Sequence, residues 1–89
     1  MRARPQRIVI ERGGLRTEVD PVNMPQDVAG AITRLLDEMR PPEEPDAEAE
    51  DTAYYVILDY GDRLERLRYD DTELPGEVRE ALDSRLESG

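Results

Sequence analysis

The sequence predicts an α+β domain: a two-layer sandwich in which a four-stranded antiparallel sheet carries two helices on one face, in the order ββαββα. Three observations predict it. Two short runs with period-two apolar alternation flank a Gly-Gly pair within residues 7–20. The period then changes to a helical one over residues 23–40. From residue 53 the same succession of two strand-like runs and a helical run returns, without obvious residue identity to the first half.

In "RIVIER", Ile8 and Ile10 share one face and Val9 the other; in "LRTEVD", Leu15, Thr17 and Val19 oppose Arg16, Glu18 and Asp20. Glycine supplies the positive φ angles that a tight hairpin needs, so Gly13-Gly14 reads as its corner. A phosphate-binding loop would need further glycines and a Gly-Lys-Ser/Thr leading into a helix, whereas a second strand pattern follows directly.

Residues 23–40 place Val28, Ile32, Leu35, Leu36 and Met39 on one helical stripe. Asn23 stands in capping position with Gln26 at capping-box spacing, and Pro25 is tolerated in the first turn. Gly30, which lowers helix propensity by about 1 kcal/mol relative to alanine, is expected to permit close packing on the sheet. "RPPEEPDAEAED" then brings three prolines and six acids, so residues 41–51 read as a solvated acidic loop.

The run "TAYYVILDY" is apolar on both faces, which suits a central strand: Tyr54, Val56, Leu58 and Tyr60 on one side, Tyr55 and Ile57 on the other. A turn at "YGDR" leads to a more polar strand with Arg63, Arg66 and Arg68, suited to an edge. In the closing segment Leu74, Val78, Leu82 and Leu86 recur at every fourth position, with Pro75 in the first turn. If residues 7–12 and 53–60 are neighbours, all strands run antiparallel in the order 2-1-3-4. The face away from the helices would then present Val9, Tyr55 and Ile57 to solvent or to a partner, a possible homodimer patch.

Composition narrows the function. The 89 residues read as one domain, 1–89, with a basic tail at 1–6 containing Arg2, Arg4 and Pro5. Its 12 cations are all arginine against 22 acids, a net charge of −10. That balance argues against non-specific nucleic-acid binding, because phosphates are repelled over most of the surface. There is no cysteine and no histidine, which removes thiolate chemistry, disulfides, the usual general base and the commonest metal ligand. The serines, Ser84 and Ser88, have no activating partner, and the carboxylate pairs Asp70-Asp71 and Asp59/Asp62 fall in turn-like positions where aspartate serves the backbone. The expectation is a non-enzymatic protein with no cofactor and no metal of its own. No run approaches the roughly 20 apolar residues that cross a bilayer, and no secretory leader is evident, so no membrane contact and a cytoplasmic location are expected.

The order and spacing of certain segments resemble a known family. An "ERGG" hairpin, an amphipathic helix, an acidic proline-containing connector, "DTAYYVI" opening the third strand, and "LP" before "EVREAL" look like emfourin; the marker positions are Gly13-Gly14, Asp51 with Tyr55, and Leu74-Pro75. The resemblance spans roughly residues 7–86. Emfourins are small bacterial inhibitors of thermolysin-like (M4) zinc metallopeptidases, protealysin being the characteristic target. The resemblance therefore implies an M4-type metallopeptidase as partner and a loop or terminus that enters the active-site cleft. Candidate contacts are the hairpin corner, Arg12, Gly13, Gly14 and Leu15, and the acidic loop, Glu43, Glu44, Asp46, Glu48 and Glu50. A carboxylate of that loop could approach the target's zinc. Two other readings stay open: a generic interaction or dimerisation module, and an acidic mimic of nucleic acid.

Overall fold

The computed structural model describes residues 5–38, 41–43, 48 and 50–88, the side chain of Ser88 excepted. Four strands, β1 (Arg7–Arg12), β2 (Leu15–Val19), β3 (Ala53–Asp59) and β4 (Leu64–Asp70), form one antiparallel sheet in the order β2-β1-β3-β4. Helices α1 (Gln26–Asp37) and α2 (Gly76–Ser88) cover one face, and a single 3-10 turn (Asp71–Glu73) joins β4 to α2. The expected order, sheet and layering are those of the structure.

Strand alternation explains the layering. Ile8 and Ile10 of β1, Val19 of β2, Tyr54, Val56 and Leu58 of β3, and Leu67 and Tyr69 of β4 point to the helices. They close a core with Val28, Ile32 and Leu35 of α1 and Leu74, Val78, Leu82 and Leu86 of the second helical segment. Without Phe or Trp, the largest fully buried side chains are Tyr54 and Tyr69, and burial obliges each hydroxyl to find a partner. Tyr69 Oη donates to the Leu35 carbonyl at 2.9 Å, tying β4 to the last turn of α1. Tyr54 Oη donates to Asp83 Oδ1 at 2.7 Å, tying β3 to α2. Arg34 and Glu77 join the two helices across their outer groove at 3.7 Å.

Both helices start after a proline whose carbonyl accepts the first helical bond, Ala29 N–H to Pro25 at 2.9 Å and Arg79 N–H to Pro75 at 3.0 Å. The prolines thus precede their helices rather than lying in the first turn. Asn23 is not the cap. Its backbone N–H and side-chain amide both go to Asp20, at 3.2 Å each, while Val22 N–H donates to Asp20 Oδ1 at 2.9 Å. Asp20 closes its own turn and takes Asn23 out of capping range. Gly30 is also not a packing device: it is exposed, and a Cβ built there meets nothing within 4 Å. Met39 lies outside the described residues.

Candidate target-binding site at the hairpin tip

The β1–β2 corner is a two-residue turn with φ +53° at Gly13 and +86° at Gly14, the pairing of positive angles that defines a type I′ turn. Its twist matches that of the flanking strands, so the tip projects as a rigid extension of the sheet. Gly13 is required for a second reason. A Cβ there would sit 3.2 Å from the Asp51 carbonyl oxygen, so the tip lies against the end of the acidic loop.

That loop end is itself fixed. Glu50 N–H donates to Tyr55 Oη at 2.9 Å, Ala53 N–H donates to the Glu50 carbonyl at 3.2 Å, and the Glu50 carboxylate pairs with Arg68 at 2.7 Å. Arg68 also reaches Asp70 at 3.1 Å. Between the tip and the loop end lies a small cleft of about 240 Å³, bordered by Arg12, Gly14, Leu15, Glu50, Asp51 and Tyr55. Leu15 is half exposed at its rim, and Glu50 and Asp51 are exposed.

The structure therefore brings together Arg12, Gly13, Gly14, Leu15 and Glu50, five of the expected contact residues from two separate segments. It adds Asp51, which carries the family resemblance but was not among the contact candidates. Its signal was position: it is the last acid before β3, where the loop must return to the sheet.

Arg12 borders the same cleft, but its guanidinium turns to the helix side, where it pairs with Asp83 at 3.2 Å and lies 4.6 Å from the Tyr54 ring centroid. Its parity with Ile8 and Ile10 already placed it on that side. Glu43 spends its N–H on the Arg66 carbonyl at 2.7 Å, along the outer edge of β4. Glu48 is exposed, and Glu44 and Asp46, like Arg2 and Arg4 of the tail, lie outside the described residues.

The expected apolar patch is not open. Val9 and Tyr55 are only 2% and 3% exposed, and Ile57 is partly covered. The Arg66 guanidinium lies 4.7 Å from the Tyr55 ring centroid, and the chain around Glu43 borders Ile57 and Leu64. Arg66 and Arg68, both half-buried, stand opposite Ile57 and Tyr55 in the sheet register and roof this face with their side chains. A larger groove between α1 and α2, about 610 Å³, is bordered by Ala29, Gly30, Val78 and Ala81 and by the paired Arg34 and Glu77.

Among the described residues no three carboxylates converge as a metal site, and no helix is long and apolar enough to cross a membrane. Asp59 is occupied by Arg7 at 3.0 Å and by Gly61 N–H at 2.9 Å. Comparison with known proteins found no matching family model, no matching curated protein and no matching solved structure.

Proposed function

We propose that this chain is a proteinaceous inhibitor of a thermolysin-like (M4) zinc metallopeptidase, and that the Gly13-Gly14 tip with Leu15, Glu50 and Asp51 is the part that enters the target cleft. One observation carries the reading beyond the sequence resemblance: two segments far apart in sequence, at Gly13 and Asp51, converge into one protruding, internally braced end of the sheet. An inhibitor needs such preorganisation, because ordering a loop on binding consumes affinity. The tip offers a half-exposed apolar side chain, Leu15, beside two exposed carboxylates. Of these, Glu50 is held by Arg68, whereas Asp51 forms no ion pair with a described residue, so Asp51 is the oxygen donor better placed to approach the target's zinc.

The test is a titration of the purified chain against thermolysin, or another M4 peptidase, following cleavage of a fluorogenic peptide. Stoichiometric inhibition supports the reading; none at micromolar concentration in a folded sample removes it. Two variants then locate the contact. Asp51→Asn with Glu50→Gln is expected to raise the inhibition constant by tenfold or more, about 1.4 kcal/mol. Neutralising Glu43 and Glu48 instead is expected to change it little.

A further inference from the structure

β2 is an edge strand. β1 lies on one side, and no described backbone pairs with the other. The outer edge of β4, by contrast, already receives the Glu43 N–H.

The hairpin geometry decides which groups of β2 face that open edge. In a two-residue hairpin the residues flanking the turn form a doubly hydrogen-bonded pair, and bonded and non-bonded pairs then alternate. Arg12↔Leu15, Ile10↔Thr17 and Ile8↔Val19 are accordingly the bonded pairs, and Glu11↔Arg16 and Val9↔Glu18 the non-bonded ones. The N–H and C=O groups of Arg16 and Glu18 therefore point outward, and both side chains are exposed on the sheet face away from the helices.

An open edge is a template for another strand, and natural edges are commonly blunted by charge. Here the two charges are of opposite sign and sit symmetrically about Thr17. We propose that β2 pairs antiparallel with β2 of a second copy of this chain, centred on Thr17, to give one continuous eight-stranded sheet. In this register Arg16 stands opposite the partner's Glu18, and symmetry repeats the pair. The outward backbone groups of both residues close four hydrogen bonds. Leu15, 51% exposed in the single chain, comes to stand opposite the partner's Val19.

Charge selects this register from its neighbours. A shift by two residues in one direction sets Glu18 against the partner's Glu18; in the other it sets Arg16 against the partner's Arg16. Like charges directly opposite are unfavourable. The two Gly13-Gly14 tips emerge at opposite ends of the interface, so pairing leaves both free. The net charge of −10 on each chain opposes association at low salt, and the contact is small, so the dimer belongs to the weak class.

The experiment is sedimentation equilibrium of the full chain at 0.15 M salt, up to about 1 mM, with amide hydrogen exchange followed over the same range. The expected result is a concentration-dependent dimer, with the Arg16 and Glu18 amides slowing as it forms. Arg16→Glu or Glu18→Arg alone creates two like-charge pairs and is expected to weaken dimerisation roughly tenfold, while the double exchange R16E/E18R restores it to within about threefold. Glu18→Pro, whose lost N–H points outward, should abolish the dimer yet keep the folded circular-dichroism spectrum. A chain monomeric throughout overturns the proposal. So does a dimer indifferent to the single charge reversals, or one whose Arg16 and Glu18 amides exchange at the same rate at every concentration.

Discussion

Tyr54 and Asp83, 29 residues apart in sequence, meet with the tyrosine hydroxyl 2.7 Å from a carboxylate oxygen that also accepts from Arg12 at 3.2 Å. One oxygen thus joins β1, β3 and α2. The Tyr54 ring is fully buried, its hydroxyl serves Asp83, and Arg12 stacks over the ring. This knot holds Arg12, the last residue before the Gly13-Gly14 turn, and therefore the direction in which the tip projects.

Removing the hydroxyl, Tyr54→Phe, leaves Asp83 with Arg12 as partner and with access to water. The expected loss is about 1 kcal/mol, which lowers Tm by roughly 4–8 °C in a domain of this size. Thermal unfolding by circular dichroism measures it, and an unchanged Tm would show that the hydrogen bond stabilises nothing.

The same contact shapes the alkaline limit. Burial, then the hydrogen bond to Asp83 and that carboxylate's charge, push the Tyr54 hydroxyl up from 10.0 to about 12. The unfolded chain releases this proton first, so the stabilisation is complete below pH 10 and is lost as the pH rises through about 12. Denaturant midpoints between pH 9 and pH 12 should fall more steeply in the natural chain than in Tyr54→Phe.

Glycines give opposite expectations at two positions. Gly30→Ala adds a methyl group to an exposed helix position with nothing within 4 Å, so it should stabilise by about 0.5–1 kcal/mol. Gly13→Ala combines φ +53° with a 3.2 Å approach to the Asp51 carbonyl and should destabilise by about 1–2 kcal/mol. Urea midpoints of the two variants would lie on either side of the parent.

Arg68→Met separates bracing from folding. The Arg68–Glu50 pair is partly exposed and should contribute little to global stability. Its loss should nonetheless speed amide exchange at Glu50 and Asp51, and weaken peptidase inhibition if the loop end is the contact. Exchange rates unchanged at both residues would assign the bracing to Tyr55 and the Ala53 N–H instead.

Much of the architecture was legible from local patterns. Alternation on both sides of Gly13-Gly14 defined a hairpin, the four-residue recurrence from Leu74 to Leu86 defined the second helix, and one apolar strand on each hairpin implied that β1 and β3 meet. The errors were also local. Asn23 has the chemistry of a cap, but Asp20 competes for its donors. Gly30 resembles a packing glycine, but it falls on the outward side of α1. Val9 and Tyr55 appear open in a two-layer scheme that takes no account of arginine stems from β4 and of the chain near Glu43 lying over that face.

The sequence by itself determined the order of elements, the hairpin corner at Gly13-Gly14, the sheet order and the absence of cysteine and histidine. Each depends on backbone periodicity, on glycine's permitted angles, or on which functional groups are present. Only the tertiary structure decided that Asp51 reaches the hairpin tip and that Arg12 is drawn to Asp83. Those are distances between parts of the chain far apart in sequence, and no local pattern encodes them.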